Sequence, residues 1–277
     1  MKKNKTSIGT KLTFIILIIF SILCIYPIIW LLLNSFKDNS EIFTNPWGLP
    51  KVISFVNYER AIVVGNVGIN FLNSVFITVV SVFVAVLLSC MASYGIVRMK
   101  WRMSRLLYFL FLIGMSIPSY SAIVPLFNMF NKMGIINKYP AIIIPHIAFA
   151  LPISIFILSG FFSSILKEME EAAIIDGCSI IGVFFRIIIP ISISSIVTVT
   201  VINFINIWND LLFPQIFLSD INMMPLPVGL TAFSDLYSTD YSGMIAAVIF
   251  TIIPTIVAYI FLHNKIMDGM TAGAVKG

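Results

Sequence analysis

Residues 12–33 carry no charged side chain. A helix rises 1.5 Å per residue, so about 20 apolar residues cross a bilayer core about 30 Å thick. Comparable runs recur at about 69–97, 106–130, 141–162, 191–213 and 244–262, and only the fifth holds a charge, Asp210. Lipid offers the backbone no hydrogen-bond partner, so runs of this length must be helical. The chain is 59% hydrophobic and 10% charged, against about 25% charged in soluble domains. These features exclude a soluble globular domain. The expectation is an all-α membrane protein with six transmembrane helices, multi-pass in the cell membrane, with residues 1–11 before the first span and 263–277 after the last.

Orientation follows from lysine and arginine placement. Lys2, Lys3, Lys5 and Lys11 precede the first span, and Arg98, Lys100, Arg102 and Arg105 lie between the second and third. Lys167, Arg186, Lys265 and Lys276 fall on the same side, making twelve; Lys37, Lys51, Arg60, Lys132 and Lys138 make five on the other. The richer side is expected to be cytoplasmic, which puts both termini inside. The basic N-terminus resembles the start of a signal peptide, but the apolar run behind it is too long and no small-x-small site follows, so it reads as an uncleaved span. The external loops are then 37–68, 131–140 and 219–243. The first holds Pro46, Gly48 and Pro50 and reads as a partly ordered loop rather than a domain. Basic residues beside spans, with no stripe of interleaved aromatics, argue against a nucleic-acid partner.

The loop 163–190 between spans four and five contains Glu168-Met169-Glu170-Glu171-Ala172-Ala173-Ile174-Ile175-Asp176-Gly177. Four of the chain's twelve acidic residues lie there. Good helix formers, acidic residues in the first turn and a terminal glycine predict a short helix ended or bent at Gly177. Pro190 suits the first turn of the returning span. On spacing alone the stretch is a docking helix or a solvated connector.

In the fifth span Asn203, Asn206 and Asp210 are spaced i, i+3 and i+7, with Asn209 near the same stripe. They read as lining of a polar path through the membrane, or as hydrogen-bonding glue between helices. Pro118 and Pro125 lie in the third span and Pro145 and Pro152 in the fourth, and are expected as kinks. His146 reads as a satisfied buried histidine. Cys24, Cys90 and Cys178 share no metal-ligand spacing, and neither a disulfide nor a metal site is inferred. No G-x-x-x-x-G-K-[ST] loop and no nucleophile–base set is present, so no catalytic residue and no P-loop nucleotide site are expected.

Glu171-Ala172-Ala173, Asp176-Gly177 and Ile189-Pro190 resemble the EAA loop of ABC-importer permeases. Tyr26-Pro27, Ser35-Phe36-Lys37, Phe71-Leu72-Asn73-Ser74, Ala92-Ser93-Tyr94, Trp208-Asn209-Asp210 and Gly273-Ala274-Val275-Lys276-Gly277 are similar, in order, to features of carbohydrate-importer permeases of the MalG type. The resemblance implies a type I ABC importer permease. It implies a coupling helix that docks on a cytoplasmic ATPase, with Glu171 as anchoring charge, Ala172 and Ala173 as the close-contact face, and Asp176 and Gly177 at its end. It implies a tail, including Gly273, Lys276 and Gly277, against the ATPase dimer, and a structural or gating role for Asp210. The implied partners are a second homologous permease, two ATPase copies, an extracellular solute-binding protein, a carbohydrate and the lipid bilayer. No cofactor is expected on this chain, ATP and Mg belonging to the ATPase. A phosphorylated polyol or other small polar solute, and an ion-coupled secondary transporter, stand as alternatives.

Overall fold

A computed structural model describes residues 8–99, 101–234 and 238–274, with side chains described for 9–99, 101–234 and 238–261. Four of its helices are long and apolar enough to span a bilayer: α1 (Ile8–Asn34), α4 (Val67–Val97), α7 (Pro140–Ser164) and α14 (Tyr241–Ala274). Short α2 (Asn39–Thr44) and α3 (Val56–Val63) lie between the first two. Two bent pairs complete a set of up to six spans. Among the described residues there is no β-strand, only an isolated bridge between Ser234 and Thr239.

The third expected span is not one kinked helix. α5 (Ser104–Gly114) stops, and α6 (Ile123–Lys132) resumes after a 3-10 turn at Ser119–Ala122, with a bend of 92°. Pro118 is extended, at φ −62° and ψ 121°, and a residue before proline avoids the helical region. Pro125 then sits in the first turn of α6, where a missing N–H is harmless. These prolines break and restart a helix. Pro145 and Pro152, by contrast, lie inside the continuous α7. A Cβ on Gly114 would come 3.3 Å from Pro152 Cγ, so glycine lets α5 approach α7 closely.

The fifth span also differs from a continuous 191–213. α8 (Glu168–Ile175), α9 (Ile180–Val183), a π-helical turn at Phe184–Ile188 and α10 (Ile189–Ile191) lead to a break at Ser192. α11 (Ile193–Trp208) follows at 77° to the segment Ile180–Ile191 and ends before Asp210, with α12 (Leu212–Phe217) and α13 (Leu226–Gly229) beyond. Pro190 occupies the first turn of α10. The last helix continues to Ala274, so Gly273 is helical, while Lys276 and Gly277 lie outside the described residues.

The chain divides into two compact units. The first comprises residues up to Val67 and Leu230–Ile252, and gives the segment 37–67 more order than its prolines suggest. Lys37 is 1% exposed, and its ammonium donates to Asn45 O at 2.7 Å. Buried Asn57 donates to the carbonyls of both Ser35 and Lys37 at 2.7 Å. Arg60 pairs with Asp240 at 2.8 Å and also reaches Asn57 Oδ1 and Ser242 Oγ.

The second unit comprises Gly68–Gly229 and the chain from Ile253 on. One apolar cluster joins Ile77 of α4, Phe130 of α6, Ile142 of α7, Ile207 of α11 and Phe217 of α12. Asn73 of α4 donates to Asn222 O and Met224 O and accepts from Tyr139, while Ser74 accepts from Leu226 N. The Asn-Ser pair therefore clamps the 220s segment to α4. Asn57→Leu should leave two buried carbonyls unpaired, each costing roughly 1–3 kcal/mol. The expected result is a clearly lower melting temperature of the purified chain in a thermal-shift assay, without change in helix content by circular dichroism.

Candidate functional site

The acidic stretch forms α8, with Glu168, Glu170 and Glu171 in its first turn, at the positive end of the helix dipole. Its C-terminus is a Schellman motif: Gly177 N donates to Ile174 O and Cys178 N to Ala173 O. Gly177 has φ +85°, a conformation that glycine alone adopts freely.

The two faces of α8 do different work. Ala173 is buried in a cluster with Tyr94 of α4, Phe162 of α7, Val183 of α9, Phe184 and Val199 of α11. Glu170 is paired with Arg98, whose side chain is 5% exposed, and Arg98 Nη1 also donates to Ile165 O at 3.1 Å. Arg98, just past the end of α4, thus holds both the helix and the segment entering it. Glu171, Ala172, Ile174 and Asp176 are exposed, and Ile175 is 84% exposed. The expectation of a paired-alanine contact face needs correcting: Ala172 faces out and Ala173 packs inward. Sequence reading also passed over Glu170 and the exposed isoleucines. The only signal for Glu170 was its position one residue from Glu171, about 100° further round the helix.

A second feature of this unit is a cavity of about 490 Å³ between α5, α7 and α11. Asn203, Asn206 and Asp210 all line it, together with Tyr120, His146 and Phe149. Asn203 is buried and donates to Ser154 Oγ of α7 at 2.8 Å. Asp210 is 7% exposed; its Oδ2 lies 2.9 Å from His146 Nε2, and Tyr120 donates to Oδ1 at 3.5 Å. His146 therefore finds its partner in Asp210. Phe213 is buried behind them, with ring centroids about 6 Å from those of Tyr120, His146 and Phe149. Asn209 departs from the expected stripe: it is exposed, bonds Ile205 O of its own helix and does not line the cavity. Asp210 lies past the helix end, so the i+7 spacing places it correctly although the helix does not reach it. Tyr120 and Phe149 carried no periodic signal; the break at Pro118 brings Tyr120 in. Among the described residues no group of His, Cys, Asp and Glu is arranged to hold a metal ion.

Two consequences separate the faces of α8. Glu170→Gln should strand a buried guanidinium, a loss of about 3–5 kcal/mol, and lower the melting temperature of the chain itself. Glu171→Gln, on the exposed face, should leave that temperature unchanged. Gly177→Asp meets no atom within 4 Å of its Cβ, so its folding cost is the left-handed backbone alone, about 1 kcal/mol, read as a small fall in the same melting temperature.

The family described as binding-protein-dependent transport system inner membrane component matches residues 82–264. The probable ABC transporter permease protein YurM of Bacillus subtilis is 32% identical, over 99% of this chain and 91% of that protein. The diacetylchitobiose uptake system permease protein NgcG of Streptomyces coelicolor is 34% identical, over 94% of this chain and 87% of that one. In the solved structures, a chain of a bacterial ABC transporter involved in the import of the acidic polysaccharide alginate superposes with a TM-score of 0.79 at 22% identity, covering 95% of this chain and 98% of that one. The last is a likeness of fold. Together with the multi-span architecture, the match to the family and the full-length relatives show that the chain belongs to the binding-protein-dependent ABC importer permeases, multi-pass membrane subunits that leave ATP hydrolysis to a separate protein.

Proposed function

We propose that this permease forms part of the translocation path for a carbohydrate, and that α8 couples it to an ATPase. The observation that carries the coupling role is the division of α8. Its inner face is locked to α4, α7 and α11 by Ala173 and the Arg98–Glu170 pair, and its outer face presents Glu171 beside exposed isoleucines. Apolar side chains left in water next to a charge suit a protein cleft. The arrangement calls for two ATPase copies, one under this chain and one under a homologous permease, with an external binding protein delivering the solute. Both termini lie on the ATPase side, where lysine and arginine are concentrated. Gly273, near the end of α14, lies in the part of the chain assigned to contact with the ATPase dimer. The carbohydrate reading is supported by the name of the diacetylchitobiose permease and by a cavity that mixes carboxamides, hydroxyl and aromatic rings.

The test is reconstitution of the complete importer in proteoliposomes, after a ligand screen of its binding protein with maltose, cellobiose, diacetylchitobiose, arabinobiose and glycerol 3-phosphate. Retention of a neutral saccharide, and vanadate-sensitive uptake that requires ATP, are expected. Retention of glycerol 3-phosphate would replace the carbohydrate reading with the phosphorylated polyol. Uptake that survives loss of the ATPase would replace the ATP-driven reading with an ion-coupled one.

A further inference from the structure

Two helix interruptions meet at one place in the second unit. α5 ends at Gly114, and the chain then turns through Pro118 to reach Tyr120; α11 ends at Trp208, just before Asp210. The cavity is lined from both breaks and from α7 between them. Irregular backbone at membrane depth survives where it is buried in protein or faces a polar cavity, and broken helices frame solute sites in other transporter folds. A volume of about 490 Å³ falls within the 300–1,000 Å³ typical of small-molecule sites.

The lining defines a chemistry. Asn206 is exposed to the cavity and makes no hydrogen bond among the described residues; a carboxamide both donates and accepts, as hydroxyl recognition requires. Phe149 offers a ring face, whose negative quadrupole suits the C–H face of a pyranose. The titratable lining groups are Tyr120, His146 and Asp210, and neither lysine nor arginine is among the lining residues. The one carboxylate is already engaged by His146 at 2.9 Å. An anionic solute would meet that carboxylate with no free cation beside it; an uncharged one would not.

We propose that this cavity is a solute subsite carried by this chain itself, built for an uncharged saccharide ring and unsuited to phosphorylated or acidic solutes. Asn206 and Phe149 contact the sugar, and Asp210 holds His146 and Tyr120 around it as a positioning residue. The inference rests on the carbohydrate reading above.

The experiment uses the complete importer in proteoliposomes and the radiolabelled neutral saccharide retained in the screen. Sugar carried per ATP hydrolysed is measured together with ATPase stimulation by the liganded binding protein. Asn206→Ala removes one hydrogen-bonding contact and should lower sugar per ATP about tenfold, the equivalent of one hydrogen bond, while ATPase stimulation stays within about twofold. Phe149→Ala should act in the same direction and Phe149→Tyr should restore transport. Unchanged sugar per ATP in Asn206→Ala and Phe149→Ala overturns the subsite while leaving carbohydrate import standing. Loss of the partner permease on purification of Asn206→Ala overturns it in favour of a subunit interface. Retention of glycerol 3-phosphate in the screen removes the carbohydrate reading and this inference together. If Phe149→Ala fails to assemble, Phe149→Leu, which keeps the volume but loses the ring, decides the point.

Discussion

Within a bilayer every backbone N–H and C=O must find a partner inside the protein, and the second unit is organised by the places where its helices are interrupted. At Met115–Pro118 and Asn209–Leu211 the chain leaves α5 and α11, with the N–H groups of Met115, Ser116, Ile117, Asn209 and Asp210 turned back on the last helical carbonyls, and these stretches do not face random directions. Both reach the cavity that holds Tyr120, His146, Asn203, Asn206 and Asp210. The breaks turn Tyr120 and Asp210 into the cavity lining, where a straight helix would carry them past. The buried Asp210–His146 contact then closes the seam between α7 and the end of α11.

At the other end of the same helices the constraint is mechanical. α8, with eight residues, is too short to be stable alone. It is held by Ala173 in an apolar cluster, by the Schellman turn at Gly177 and by the ion pair with Arg98. Arg98 serves two purposes. It belongs to the basic set that fixes topology, and its guanidinium also reads the position of Glu170. A lysine there would keep the charge but lose the fork that bonds Glu170 and Ile165 O together.

Much of this was legible in the chain. Runs with at most one charge overlap the four helices long enough to span and the two bent pairs, because the insertion cost of charge leaves a mark over some twenty residues. The i, i+3, i+7 stripe found three cavity residues, and the glycine after an acidic helix marked its left-handed end. What stayed hidden depends on long-range packing. Pro118 and Pro145 look alike in sequence, yet one lies in the break after α5 and the other rides inside α7, a difference that only the packing around each decides. Ala172 and Ala173 are indistinguishable by composition and separate only once α7 and α9 cover one side of α8. Lys37 is an ordinary loop lysine in the sequence; its burial becomes visible only with Asn45 O beside it.

The two features share their framework. Leu158 and Phe162 of α7 and Val199 of α11 belong to the cluster that seats α8, while His146 of α7 and Asn203 of α11 line the cavity. On α11, Val199 and Asn203 are about one helical turn apart, roughly 6 Å along the axis. Between them and the cavity stands the Asn203–Ser154 bond that ties α11 to α7. Close-packed helices transmit a displacement rather than absorb it. A shift of α8 that moves Val199 against Leu158 therefore reaches Asn203 before it can dissipate, and the hydrogen bond to Ser154 decides whether α7 and α11 move as a pair or shear apart and reshape the cavity.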